Sequence, residues 1–144
     1  MNLITIMNFV RGVEPRDPKL DLLEPIVHQI ALNKKYGFDN TFLLQYDALI
    51  DPKFRDVFLA ERDEHMEIGI WFEVVRPLVE KVGIKWRGRP GYDWDWYVDP
   101  GFLPAYTHDE KTAMIDEFME KFRETFGEYP KSVRGCWISI RFAT

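Results

Sequence analysis

Two short apolar runs, separated by one segment of helix length, decide the fold of this chain. The first is YGFDNTFLLQYD at residues 36–47, and the second is EHMEIGIWFE at residues 64–73. Each run has the length of a strand, and the segment between them repeats apolar residues at helical spacing. Strand, helix and strand in this order predict two parallel strands joined by a crossover helix. The expected fold class is therefore α/β.

Polar and aromatic side chains stand where both predicted strands end. Asp47 ends the first run, and Trp71 and Glu73 lie at the end of the second. Because the carboxyl ends of parallel strands meet at one edge of a sheet, we expect these side chains to be available for chemistry there. Carboxylates can share proton transfer, so Asp47 and Glu73 are candidate catalytic residues, with Trp71 as a candidate substrate-binding residue. The alternative is that each carboxylate caps the helix that follows it.

The same alternation of strand and helix extends over most of the chain. Asp17 and Pro18 predict the start of a helix that ends before Gly37, and Pro25 marks either a kink or the true first turn. We expect four strands, at residues 3–9, 40–49, 67–72 and 132–140. Strand–helix units of this kind predict parallel strands with right-handed crossovers. The expected architecture is a partial (β/α) barrel of about four parallel strands.

The helix starts later in the chain carry clear capping signals. Asp51 before Pro52 predicts one helix start, and Thr107 with Glu110 forms the pattern of a capping box. The helix after Thr107 carries one apolar face and is expected to end at Gly127.

A charged loop follows the first predicted strand. It contains Arg11, Glu14 and Arg16. Loops in this position often carry binding residues, so Arg11 is a candidate substrate-binding residue and Glu14 a third candidate acid or base. The alternative is a solvated loop, to which we give equal weight.

Residues 84–106 lose every helix or strand period and are rich in aromatic and acidic residues. Trp86, Trp94 and Trp96 are the tryptophans of this segment. A long loop without regular structure is usually functional or disordered, and its aromatic content argues against disorder. Flat rings beside carboxylates suit sugars, so the three tryptophans are candidate carbohydrate-binding residues. The alternative is that they cap the barrel or form an interface.

Composition narrows the classes of partner. The net charge is −5 and the basic residues are scattered, so we expect no nucleic-acid partner. No apolar run approaches the roughly 18 residues of a membrane helix, so no membrane partner is expected. The chain has one cysteine, Cys136, which excludes an internal disulfide. The 144 residues suit one domain.

The two ends of the chain lead to further expectations. Residues 1–10 lack the features of a signal peptide, so an exported parent protein would carry its signal elsewhere. The chain stops directly after the fourth predicted strand, which suggests an incomplete barrel. Such a barrel leaves an open sheet edge and an uncovered apolar face, so a homo-oligomer is one expected outcome.

Three segments together resemble polysaccharide deacetylases of the NodB-like superfamily. YGFDNTFLL at residues 36–44 resembles their second-strand segment, and EHMEIGIW at residues 64–71 resembles their third strand. FGEYPKSVRGCW at residues 126–137 resembles their segment with the pattern gly-x-x-pro-x-x-phe-arg-pro-pro-tyr-gly, in which Arg134 matches the arginine. The three motifs occur in the family's order and spacing, as in a diverged branch of gut bacteria.

The resemblance implies a distorted (β/α) barrel, usually of seven strands, of which this chain holds about four. It also implies a role in carbohydrate metabolism, with Arg134 among the substrate-binding residues. Family members bind a divalent metal with an aspartate after the first strand and two histidines after the third. Here no aspartate pair follows the first strand, and Trp71 and Val75 stand at the histidine positions. No cofactor is therefore expected, although the resemblance allows a divalent metal.

These observations leave three functions open. The first is a carbohydrate-active hydrolase, deacetylase-like or a glycosidase, that uses Asp47, Glu73 or Glu14. The second is a non-catalytic glycan-binding module that uses the loop at residues 84–106. The third is an inactive fragment that self-associates.

Overall fold

The computed structural model describes residues 4, 6–95, 97 and 99–135, and it shows an α/β fold built on one parallel sheet. The strands are β1 (Ile6–Val10), β2 (Asn40–Leu44), β3 (Met66–Trp71) and β4 (Val133–Arg134), and they lie side by side in chain order. The helices are α1 (Glu24–Tyr36), α2 (Tyr46–Ile50), α3 (Pro52–Glu61), α4 (Arg76–Lys81) and α5 (His108–Phe126). Two 3-10 turns, Asp99–Gly101 and Leu103–Ala105, interrupt the loop before α5.

The helices share one hydrophobic core with one face of the sheet. On this face lie Phe42, Leu44 and Ile70, and their cluster includes buried residues of α1, α3, α4 and α5. Phe42 contacts Phe58 of α3 with ring centroids 5.2 Å apart. A sheet whose strands run in chain order, with its helices packed on one face, has the arrangement of a partial β/α barrel. The predicted fold class is confirmed.

The opposite face of the sheet is called the inner face here, because it would face the interior of a closed barrel. The register places Phe9, Leu43 and Gly69 side by side on it. Leu43 is fully buried, whereas the side chain of Phe9 is 37% exposed. A Cβ on Gly69 would clash with Ser132 Oγ and would lie 2.5 Å from the Ser132 carbonyl oxygen, so only glycine fits where β4 approaches β3.

The homo-oligomer that an open sheet edge would favour stays a prediction.

Helix α1 begins later than the cap at Asp17 and Pro18 predicts. The carbonyl of Asp17 accepts from the Leu20 amide in a turn, and the Asp21 carboxylate accepts from the Leu23 amide. The helix starts at Glu24, with Pro25 in its first turn, where a missing N–H costs no hydrogen bond. Of the two alternatives for Pro25, the true first turn is confirmed.

Strand β2 is shorter than the predicted strand at residues 40–49. It ends at Leu44, and the apolar residues after it form the short helix α2. The Leu49 amide donates to the Gln45 carbonyl, and the Asp51 amide donates to the Asp47 carbonyl, both at helical spacing. The prediction was wrong here because a short, fully buried apolar run has no period that separates strand from helix.

The predicted caps at the starts of α3 and α5 are confirmed. The Asp51 side chain accepts from the Lys53 amide at the start of α3, and Thr107 and Glu110 form the reciprocal bonds of a capping box at α5. Gly37 and Gly127 end α1 and α5 with positive φ angles of 65° and 81°. Residues 136–140 of the predicted fourth strand, and residues 3 and 5 of the first, lie outside the described residues. Among the described helices, none is long and apolar enough to cross a membrane.

Candidate functional site

Strands β1, β2 and β3 end at the same edge of the sheet, which we call the carboxyl edge. It consists of their last residues and of the segments at residues 11–14, 45–47 and 71–73. The amide of Gln45 donates to the Val10 carbonyl at 2.7 Å and so ties the ends of β1 and β2 together. Parallel strands bring these three segments close in space although they are far apart in sequence. Most of the predicted site residues lie here.

Asp47 is a buried carboxyl group at the start of α2. The residue is 6% exposed, and its Oδ1 accepts from the Ala48 amide at 2.7 Å. Its Oδ2 has no hydrogen-bond partner of normal geometry among the described residues. Burial raises the pKa of Asp47 to about 6, although nearby backbone amides, led by that of Gly12, act to lower it. Asp47 is therefore a carboxyl group that changes protonation close to neutral pH.

Glu73 is buried beside the end of β2. The side chain of Gln45, fully buried itself, donates from Nε2 to Glu73 Oε2 at 2.9 Å, while Gln45 Oε1 has no partner among the described residues. Neither candidate carboxylate takes the N-cap of the following helix. Asp51 caps α3, and Val75 holds the N-cap position of α4. Gln45 lies in the run at residues 36–47, and the sequence alone assigned it no role.

Glu14 is buried between two arginines, which contradicts a fully solvated loop. Its carboxylate accepts from Arg11 Nη2 at 2.5 Å and from Arg16 at 2.8 Å (Nε) and 3.0 Å (Nη2). The hydrogen bonds from Arg16 and the charge of Arg11 lower the pKa of Glu14 to about 2, although burial acts to raise it. Glu14 therefore stays ionised at physiological pH and holds both guanidinium groups in place.

Aromatic rings line the inner face beside these carboxylates. Phe9 packs against Trp71 with ring centroids 4.5 Å apart, and Trp94 meets the same phenylalanine edge-on at 6.4 Å. The Arg11 guanidinium lies 5.1 Å from the Trp94 ring centroid. Phe9 was not predicted as a site residue. The strand register, which puts it on the same face as Trp71, is the signal that would have identified it.

The loop at residues 84–106 is held by ion pairs, and of its two candidate tryptophans that the structure describes, Trp94 contacts the carboxyl edge. Trp94 is 8% exposed and packs there, while Trp86 packs against the core and the Gly88 backbone. Trp96 lies outside the described residues. Buried Asp95 accepts from Arg89 Nη2 and Nε at 2.7 and 2.8 Å, an ion pair that fastens the loop.

Arg134 belongs to β4, next to Trp71 in the sheet register. Its carbonyl accepts from the Phe72 amide at 2.5 Å, and its side chain is exposed. The structure thus brings the backbone of Arg134 to β3.

The donor set of the carboxyl edge does not fit the metal that the resemblance allows. The residues at the two histidine positions, Trp71 and Val75, offer no metal-binding atom. In the described part of the chain, no three His, Cys, Asp or Glu side chains come together as metal ligands would. Glu14 already shares its oxygens with two arginines.

A groove of about 580 Å³ lies elsewhere. It opens at the amino ends of β2 and β3, between residues 39–41, residues 62–68 and the end of α5. We call this region, together with the adjoining ends of α1 and α3, where Lys34 pairs with Glu61 and Asp63, the amino edge. Its side chains include His65 and Asp39, whose ring Nδ1 and carboxylate oxygen are 2.7 Å apart.

Comparisons with protein-family models, with curated proteins and with solved structures found no match to this chain.

Proposed function

We propose that the chain is a carbohydrate-active protein of hydrolytic type whose site is the carboxyl edge. The observation that carries this proposal is Asp47, a buried carboxyl group with a pKa of about 6 and one oxygen without a partner among the described residues. A carboxyl group that is protonated near neutral pH is suited to act as a general acid. The resemblance of three segments to polysaccharide deacetylases supports a carbohydrate as the substrate.

In the proposed reaction, Asp47 gives its proton to the oxygen of the departing sugar as the glycosidic bond breaks. A water molecule adds to the anomeric carbon, and its proton passes to the Glu73 carboxylate. Gln45 keeps Glu73 in position through their hydrogen bond. Glu14 transfers no proton, because its pKa of about 2 keeps it ionised; it orients Arg11.

The experiment measures release of reducing ends and of acetate from xylan, mannan, cellulose, chitin and their acetylated forms. We expect hydrolysis that declines as pH rises through about 6, where Asp47 loses its proton. Asp47→Asn should lower the rate by roughly 10²–10⁴-fold. Glu64→Gln, at an exposed acid of the amino edge, is the matched control and should leave the rate unchanged. Equal rates in Asp47→Asn and wild type would end the proposal.

A second candidate function, non-catalytic glycan binding, is favoured by the rings of Phe9 and Trp71. The two rings are 4.5 Å apart and Phe9 is partly exposed, so they offer a surface on which a sugar ring can stack. This function predicts that binding survives Asp47→Asn but weakens at least tenfold in Trp71→Ala. Calorimetric titration with the same polysaccharides separates the two functions, because only the hydrolase loses turnover in Asp47→Asn.

A further inference from the structure

The loop after β1 places two arginines around one carboxylate at the carboxyl edge. Arg11 and Arg16 both bond to the one carboxylate of Glu14, so the three side chains together have a net charge of +1. Asp95, the buried acid that follows Trp94, is already paired with Arg89. The positive charge belongs to this cluster alone, because the same edge also holds the buried acids Asp47 and Glu73 and the whole protein has a charge of −5.

Arg11 is held rigidly in this cluster. Glu14, which is buried, bonds to it through Nη2 alone, so among the described residues Nε and Nη1 of Arg11 make no hydrogen bond. Its guanidinium is also packed 5.1 Å from the centroid of Trp94 and 5.9 Å from that of Phe9. A planar guanidinium with remaining donors, already fixed in orientation, is suited to binding a carboxylate or a sulfate.

The positions of Arg11 and the aromatic pair match the two parts of an acidic sugar. The ring of such a sugar can stack on Phe9 or Trp71, and Arg11 lies beside Phe9, where a carboxylate attached to that ring would meet it. A neutral sugar would use the rings but leave the arginine donors to water.

We infer that the carboxyl edge selects anionic polysaccharides, of the uronic-acid class, through Arg11 positioned by Glu14. This inference rests on the proposed carbohydrate function and adds the class of substrate. Arg16 contributes charge at the same place and leaves Glu14 paired when Arg11 is replaced.

The test compares acidic polysaccharides with their own neutral forms. Polygalacturonate, alginate and hyaluronan, each beside its methyl-esterified form, are titrated against the protein by calorimetry in 50 mM salt. We expect at least one acidic polymer to bind roughly tenfold or more tightly than its ester, as a charge-assisted hydrogen bond predicts. The preference should shrink in 500 mM salt, where exposed charges are screened.

Variants then identify the source of the preference. Arg11→Gln should remove most of it, and Arg11→Lys should restore part, because lysine keeps the charge without the planar donors. Arg55→Gln, at an arginine of α3 paired with Asp56, is the control and should bind as wild type does. A thermal melt of each variant checks that it is folded.

The other outcomes distinguish this inference from the proposed function. Equal affinity for acids and esters would overturn the inference and leave the carbohydrate function standing. A preference that persists in folded Arg11→Gln would also overturn it. Binding to none of these polymers, nor to the neutral polysaccharides named above, would overturn both.

Discussion

The two edges of the sheet carry charged groups of similar kinds in opposite surroundings. At the amino edge, Lys34 pairs with Glu61 at 2.8 Å, and His65 pairs with Asp39, but all four side chains are well exposed. At the carboxyl edge, the acids Glu14, Asp47 and Glu73 are buried. Water screens the exposed pairs of the amino edge. At the carboxyl edge, burial strengthens each electrostatic interaction and also raises the cost of desolvating each charge.

The difference teaches that cavity volume and perturbed acid strength point to opposite edges of this sheet. The groove of about 580 Å³ lies at the amino edge, where exposed charges are close to bulk solvent. Among the described carboxyl groups, the large changes of pKa are at the carboxyl edge, where the pKa of Glu14 is lowered to about 2 and that of Asp47 is raised to about 6. Because perturbed titration often accompanies functional sites, it supports the carboxyl edge as the place of the proposed function.

The largest expected effect is on Glu14. Glu14→Gln removes the one buried carboxylate that two partly exposed arginines share. Hydrogen bonds to a charged group contribute about 1.5–3 kcal/mol each, so the loss from both arginines should cost about 3–5 kcal/mol of unfolding free energy. The matched change at the amino edge, Glu61→Gln, should cost less than about 1 kcal/mol, because Lys34 and Glu61 are exposed. Urea denaturation at pH 7 measures both. Equal losses would show that burial does not separate the two edges.

The next effect is the dependence of stability on pH that Asp47 imposes. Its pKa is raised from 3.8 to about 6, so the folded state holds a proton that the unfolded state releases, and stability falls as pH rises between these values. The shift of about 2 units corresponds to about 3 kcal/mol.

Asp47→Asn removes this titration. The variant should be more stable than wild type at pH 7.5, by up to about 3 kcal/mol, and less dependent on pH between 4 and 6. Glu64→Gln at the amino edge should leave the slope of unfolding free energy against pH as in wild type. Denaturant melts across this pH range supply the measurement, and a wild-type slope that persists in Asp47→Asn would refute the assignment.

The smallest effect is at the amino edge itself. Asp39 hydrogen-bonds the His65 ring and thereby raises the pKa of His65. Asp39→Asn should lower that pKa, which proton NMR of the ring can follow. Because the pair is exposed, any stabilisation it gives is present at low pH, fades as pH rises through the pKa of His65, and is small. A marked loss of stability in Asp39→Asn would contradict the contrast between the edges.

The sequence was sufficient for the framework because period, caps and order of elements are local signals. The runs around Phe42 and Ile70 predicted parallel strands, and Thr107 with Glu110 predicted the start of α5 correctly. The predictions were wrong where one short sequence pattern is compatible with two local structures. Asp17 before Pro18 also suits a turn, and the apolar residues after Leu44 suit either a strand or the short helix α2.

The site was only partly accessible from sequence. Asp47, Glu73 and Trp71 could be placed because strand ends are visible in the pattern. The burial of Glu14 could not, since a charged loop reads as solvated until the packing around it is known. Nor does sequence show that Gln45 bonds to Glu73 across 28 positions of the chain. Such contacts depend on strand register, which a single sequence leaves unspecified.

The absence of a side chain at Gly69 allows β4 to pair with β3, so a substitution there should affect this pairing alone. Where β4 joins β3, the amides of Ile70 and Phe72 donate to the carbonyls of Ser132 and Arg134, beside a position with no room for a Cβ. An alanine at Gly69 would push this short strand away while the β1–β2 and β2–β3 ladders remain paired. In hydrogen exchange, the Ile70 and Phe72 amides would then lose protection ahead of the three-stranded remainder. One added methyl group would thus separate the β3–β4 pairing from the other two ladders of the sheet.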